Sequence, residues 1–226
     1  MTGRVVSGRR LFLLDMDGTL IDSRADLACA VNLTLSRIGL QQIDLERVTR
    51  FVGDGARMLI RRALEESAGA EPPPETLDRA IAIFIEEYGR HLLDQTRPYP
   101  GASRTLESMP WAQWAIVTNK PEAFSATILE GLGLSRWFST VIGGDTLPPF
   151  KKPDPEPLLE AMRRCGADAG ETVMVGDSPV DVRSGMAAGV LTVAVTGGYR
   201  ERSELEPEKP DLITDTIASL PQLFRA

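Results

Sequence analysis

The stretch "LFLLDMDGTLIDS", residues 11–23, decides the fold. It sets an unbroken apolar run, Leu11 to Leu14, directly against Asp15 and Asp17, and Gly18 and Thr19 follow at once. An apolar run without polar alternation suits a strand covered on both faces. Residues two apart on an extended chain point the same way, so Asp15 and Asp17 can face one crevice if that conformation continues past the strand. Two acids so placed repel unless a cation lies between them. Oxygen-only ligands select a hard cation, and Mg²⁺ prefers one or two carboxylates with waters and substrate phosphate over a full protein cage. A carboxylate can also act as a nucleophile and become an aspartyl phosphate. The plainer alternative is an Asx turn that closes the strand, with Gly18 supplying the unusual backbone angle. A calcium loop fits less well, because its glycine stands sixth and Gly18 falls fourth.

Working outward, four more apolar runs end in small or polar residues: "WAIVTN" at 114–119, "TVIGGD" at 140–145, "TVMVGD" at 172–177 and "LTVAVTGG" at 191–198. Helical patterns such as "PLLEAMRRC" at 157–165 lie between them and suit crossover helices. The expectation is an α/β fold with a doubly wound, Rossmann-like parallel sheet. Ligands of such sheets sit at the carboxyl ends of the strands, here carrying Asp15, Thr118, Asn119, Asp145 and Asp177. Between 24 and 96 the rhythm changes to helical spacing, in Leu27, Val31, Leu35 and Ile38 and again in Leu77, Ile81, Ile85, Tyr88 and Leu92. This predicts an all-helical cap over 22–96, with "EPPPE" at 71–75 as a rigid turn, inserted into an α/β core made of 1–21 and 97–226. "RPYPGA" at 97–102 marks the re-entry.

Bulk properties exclude several classes of function. The 226 residues are 42% hydrophobic, enough for a sizeable core, and 25 basic against 32 acidic side chains leave a net charge of −7. An acidic chain lacks the broad basic face that binds nucleic acid. Cys29 and Cys165 form no Cys-x-x-Cys pair, so neither a disulfide framework nor a zinc knuckle is expected, and both are read as core residues in a reducing compartment. The apolar run after the basic start "MTGRVVSGRR" is too short for a signal peptide or a membrane span, which predicts a cytoplasmic protein without a membrane partner. A monomer or homodimer is expected. His91, the single histidine, reads as an exposed helix residue.

Later motifs keep company with the paired acids. "VTNK" places Thr118 and Asn119, a hydroxyl and an amide, at a strand end. "FKKPDPEP" supplies Lys151 and Lys152, and "VGDSPVD" supplies Asp177 and Asp181. Taken in order, "DMDGT", "VTN", "KKPDP" and "GDSPVD", with a helical segment after the first, resemble the haloacid dehalogenase-like superfamily over essentially the whole chain. "RFVGDGARMLIRRAL", "YPGA" and "VIGGD" are most similar to its phosphoglycolate phosphatase branch.

The resemblance implies that Asp15 attacks phosphorus while Asp17 protonates the leaving alkoxide and later deprotonates water. It implies Mg²⁺ on Asp15, the Asp17 main-chain carbonyl and Asp177, with Asp181 acting from behind them. Thr118, Asn119 and Lys152 would bind the phosphoryl group, Lys152 rather than Lys151 because it directly precedes the proline. The implied activity is hydrolysis of a small phosphorylated metabolite, foremost 2-phosphoglycolate. Rivals are a sugar phosphomutase, a phosphatase of sugar phosphates, nucleotides or pyrophosphate, and a non-catalytic metabolite sensor of the same fold. For specificity the cap offers Arg50 and the Gly53–Gly55 loop, since arginine grips a carboxylate at two points and a glycine loop can approach closely. Arg57, Arg61 and Arg62 are as well explained by pairing on a solvated helix face.

Overall fold

The computed structural model describes residues 5–226. Strand β1 (Leu11–Leu14) leads to a short strand β2 (Ile21–Asp22), and four helices follow without an intervening strand: α1 (Arg24–Arg37), α2 (Leu45–Phe51), α3 (Ala56–Ala68) and α4 (Pro74–Arg90). Strand β3 (Arg97–Pro98) pairs antiparallel with β2, so the helical unit leaves and re-enters through one two-stranded neck. Buried Asp26 on α1 closes the junction by accepting hydrogen bonds from the Gln95 and Thr96 main-chain N–H groups and the Thr96 hydroxyl. The chain continues through α5 (Ala102–Ser108), β4 (Gln113–Val117), α6 (Glu122–Gly131), β5 (Phe138–Ile142), α7 (Glu156–Cys165), β6 (Thr172–Gly176), α8 (Pro179–Ala187), β7 (Leu191–Val195) and β8 (Leu212–Thr214).

The six longer strands form one sheet in the order β5-β4-β1-β6-β7-β8, and every neighbouring pair is parallel. β1 is central and all four of its residues are fully buried. Its side chains alternate between two apolar clusters: Phe12 and Leu14 join Trp114, Ile116, Val173 and Val175 on one face, and Leu11 and Leu13 join Ala115, Val117, Met174 and Leu158 on the other. Both faces are therefore greasy, which is why no polar alternation marks this strand.

In the helical unit Leu27, Val31 and Leu35 of α1 join Leu77, Ala80, Phe84 and Tyr88 of α4, and this packing is continuous with the Phe12 face of the sheet. The buried row of α4 runs through Phe84, and Ile85, expected on that face, is 36% exposed. Pro74 takes the first turn of α4, where its missing N–H costs nothing, so "EPPPE" is a helix entrance more than a turn. Cys165 is buried as expected and Cys29 is exposed, because it stands on the outer side of α1 between buried Ala28 and Ala30. No helix among the described residues is long and apolar enough to cross a membrane.

Candidate active site

Adjacency in the sheet does most of the assembly. β4 and β6 flank β1, so Thr118, Asp15 and Asp177, each at a strand's carboxyl end, become neighbours. With Asp17, Asn119 and Ser178 they line a cavity whose other wall comes from the helical unit, including Val52, Gly53, Gly55, Leu59 and Tyr88. Its interior volume is ≈ 50 Å³. Since one buried water needs about 10–15 Å³ on this measure, the cavity holds a group the size of a few waters.

On the floor, Asp15, Asp177 and Asp181 bring one oxygen each to within 4.8 Å of one another, all buried. The Lys152 ammonium, 2% exposed, donates to Asp15 Oδ1 at 2.9 Å and to Asp181 Oδ1 at 2.6 Å. Asp181 Oδ2 accepts from the Ser178 N–H and hydroxyl at the start of α8, at 3.1 and 2.6 Å, so both of its oxygens are held by protein donors. Asp177 Oδ2 accepts from the Tyr199 N–H at 2.6 Å. Gly18, at φ +85°, and Gly198 press against this carboxylate: a Cβ at either position would lie 2.1 or 2.4 Å from Asp177 Oδ2. Burial, then the Asp181 charge, push the Asp15 carboxyl up to about 6 although Lys152 pulls the other way. Burial and the charges of Asp15 and Asp181 raise Asp177 as well. Burial opposes charge on Lys152, but Asp15 and Asp181 outweigh it and raise its pKa. Three carboxylates set against the Lys152 ammonium, which bonds Asp15 and Asp181 but not Asp177, thus carry surplus negative charge, and the donor set is oxygen only. A hard divalent cation fits both facts, and Asp15 and Asp177 keep more free lone pairs for it than Asp181.

Asp17 turns away from that cluster. Its Oδ1 accepts from the Ser23 hydroxyl at 2.5 Å and its Oδ2 from the Lys120 ammonium at 2.9 Å. The clustered side-chain carboxylates are therefore Asp15, Asp177 and Asp181, and the Asp17 carboxylate is not one of them. Lys120 was missed in the sequence, although it directly follows Thr118 and Asn119. It is 6% exposed and reaches the Tyr88 hydroxyl on α4 at 2.8 Å. Burial opposes its charge, yet Asp17 and Tyr88 more than offset this and raise its pKa.

Asn119 lines the cavity, but its amide N–H groups are not free for a phosphoryl oxygen: they donate at 2.9 Å to the carbonyls of Gly53 and Lys152. This is the first of three ties from side chains beside the sheet to one stretch of backbone in the helical unit. Lys151 Nζ donates to the Asp54 carbonyl at 2.7 Å. Arg200 donates to the carbonyls of Arg50 at 3.0 Å and Val52 at 2.6 Å. Gly53 and Gly55 face the cavity as expected. Arg50 does not: its side chain is exposed and away from the cavity lining, where Arg200 stands instead. α2 ends at Phe51, so Arg50 sits in its last turn and offers its carbonyl inward. Arg57, Arg61 and Arg62 pair with Asp78, with Glu65 and Glu71, and with Asp54, as a solvated face would. Asp145 lies beyond the end of β5 and caps α6, accepting from the Glu122 N–H at 2.8 Å. His91 ends α4 and pairs with Asp94.

Comparison with known proteins agrees with this geometry. A family model described as haloacid dehalogenase-like hydrolase matches residues 12–195. Phosphoglycolate phosphatase 1 of Pseudomonas aeruginosa is 40% identical over 215 residues, covering 93% of this chain and 78% of the relative. The phosphoglycolate phosphatase of Agrobacterium fabrum is 38% identical over 229 residues, covering 99% and 95%. A crystal structure described as a predicted phosphoglycolate phosphatase from Haemophilus somnus superposes with a TM-score of 0.89 at 32% identity, covering 95% of this chain and 97% of that one. With its motifs at the ends of three adjacent parallel strands and its family match running from β1 to β7, the chain belongs to the haloacid dehalogenase-like hydrolases.

Proposed function

We propose that the protein is a Mg²⁺-dependent phosphatase of a small phosphorylated metabolite, with 2-phosphoglycolate the leading substrate, working through an aspartyl phosphate on Asp15. The observation that carries the reading is the Asp15 carboxylate held by Lys152 beside Asp177, with the Asp17 carboxyl on the same small cavity.

Mg²⁺ would be held by Asp15, Asp177 and the Asp17 main-chain carbonyl, and when bound it supplies positive charge against the phosphate and the acid cluster. Lys152 orients Asp15 and neutralises charge as the Asp15 oxygen bonds phosphorus. In the same step the bond from phosphorus to the leaving oxygen breaks and the Asp17 carboxyl gives that oxygen its proton. Asp17, now a carboxylate, then takes a proton from the water that cleaves the aspartyl phosphate, and phosphate and both carboxyl groups are regenerated. Thr118, on the cavity wall, would donate its hydroxyl to a phosphoryl oxygen. The helical unit supplies one wall of the cavity and would be where the rest of the ester is recognised. The relatives named above carry phosphoglycolate in their names, which puts this ester first.

A panel of phosphate esters assayed with Mg²⁺ and with chelator tests the reading. The expected result is the highest kcat/KM on 2-phosphoglycolate and loss of turnover in chelator. Full activity in chelator, or activity in Asp15→Asn, would overturn the mechanism, and turnover of no ester would favour a metabolite sensor.

A further inference from the structure

A buried lysine that bonds the acid/base on one side and the cap on the other needs an explanation that phosphate binding does not give. Lys120 Nζ is committed to Asp17 Oδ2 at 2.9 Å and the Tyr88 hydroxyl at 2.8 Å, and it also lies 4.6 Å from the Tyr88 ring centroid. Tyr88 is itself fixed, 1% exposed, stacked on Phe84 at 5.4 Å within α4 and edge-on to Phe124 of the core at 5.5 Å. Opposite Lys120, the Ser23 hydroxyl donates to Asp17 Oδ1 and accepts from the Tyr199 hydroxyl at 3.1 Å. Asp17 is thus gripped on both oxygens, once from the neck and once from the lysine that the cap presses down.

We infer that Lys120 and Tyr88 form a positioning pair for Asp17, so that the acid/base is fully oriented only when α4 of the cap is seated. Each carboxylate oxygen has two lone-pair directions, so one ammonium bond fixes the plane of the group and leaves a direction free for the leaving oxygen. When Asp17 passes its proton to that oxygen, the carboxylate left behind forms directly beside the ammonium, which stabilises it in a water-poor site. The Tyr88 hydroxyl accepts from Lys120 and sets where the ammonium can stand. If the cap lifts, Tyr88 leaves with α4 and Lys120 loses that constraint. Proton transfer is thereby tied to closure, and an open site would form alkoxide with poor assistance. The inference rests on Asp17 being the acid/base of the reaction proposed above.

The test compares kcat/KM, which reports steps up to transfer of the phosphoryl group, for an alkyl phosphate with a poor leaving group and for 4-nitrophenyl phosphate, whose leaving group needs little protonation. Asp17→Asn serves as the reference, and its loss should be much larger on the alkyl ester. Tyr88→Phe keeps the ring and its stacking and removes one hydrogen bond to a charged group, for which about a tenfold loss on the alkyl ester is expected, with a smaller loss on the aryl ester. Lys120→Met should show the same bias at about a hundredfold, part of the range general acid catalysis contributes. Thermal melts confirm folding, and if Lys120→Met does not fold, Tyr88→Phe alone decides. Equal losses on both esters, or none, in a folded Tyr88→Phe protein overturn the inference. If instead Asp17→Asn shows no leaving-group bias while the wild type is active, the acid/base assignment itself has failed.

Discussion

Replacing Asp15 by asparagine should stabilise the metal-free protein at neutral pH while abolishing turnover. Burial and the nearby Asp181 push the Asp15 carboxyl from 3.8 to about 6, with the opposing pull of Lys152 already included. The native state therefore holds this proton more tightly than the unfolded chain does, and stability falls as pH rises from about 4 to about 6. Above that window the full cost of ionising a buried acid is present, about 3 kcal/mol at 1.36 kcal/mol per pH unit. Asparagine keeps the shape and an acceptor for Lys152 but carries no charge at any pH. For a chain of this size, about 2–4 °C per kcal/mol gives a rise of roughly 6–12 °C at pH 7.5 in chelator. The difference should shrink towards zero as pH falls below 3.8, where the wild-type carboxyl becomes protonated in both states. Adding Mg²⁺ should then raise the wild type by about 2.7 kcal/mol at a hundred times its dissociation constant, and raise the variant less. Melts of both proteins at several pH values, with chelator and with Mg²⁺, read all of this. A variant that melts lower than wild type at pH 7.5 in chelator, or a difference independent of pH, would refute the account of the acid cluster as electrostatically overloaded.

Other perturbations separate the remaining parts of the site. Lys152→Met strips the acid cluster of its bonded ammonium and should cost about 3–5 kcal/mol of metal-free stability by chemical denaturation, whereas Lys151→Met loses one bond to a cap carbonyl and should cost about 1 kcal/mol. The reverse order would mean that the wrong lysine serves Asp15. Gly18→Ala would drive a Cβ to 2.1 Å from Asp177 Oδ2 at a positive φ, so Mg²⁺ affinity, read as the metal-dependent shift in melting, should fall at least tenfold. An unchanged shift would show that Asp177 is not a ligand. Arg200→Ala removes the donors that hold the Arg50 and Val52 carbonyls, and hydrogen exchange across 49–54 should speed up while KM for 2-phosphoglycolate rises. Arg50→Ala, with its side chain outside the cavity, should leave KM unaltered, and a large rise would return Arg50 to the role expected from the sequence.

What could be read in the chain without coordinates follows a physical divide. β1, β4, β6 and β7 are legible because a strand buried on both faces must be apolar throughout and must end where polar side chains begin, so "LFLLD" and "TVMVGD" state fold and site together. β8 was not seen: its three residues, Leu212 to Thr214, stand at the sheet edge, where little burial demands little pattern. The core motifs are local, each packed into a few consecutive residues, and they surfaced for that reason. Lys120 did not, because nothing in "VTNK" tells a buried ammonium from a solvated one. Its burial depends on Tyr88, 32 residues away in the sequence and on a helix whose apolar spacing explained the tyrosine without any chemistry. Arg50 and Arg200 show the same limit from the other side. A cationic side chain was needed near the cap loop and the sequence offered five arginines between 47 and 62, yet the one at the cavity comes from "GGYR" after β7, about 150 residues on. In each case the missing information is a contact between cap and core. Motifs within one unit fix the chemistry that unit can do, whereas pairs such as Lys120 and Tyr88 join side chains that become neighbours only when both parts of the chain have folded and met.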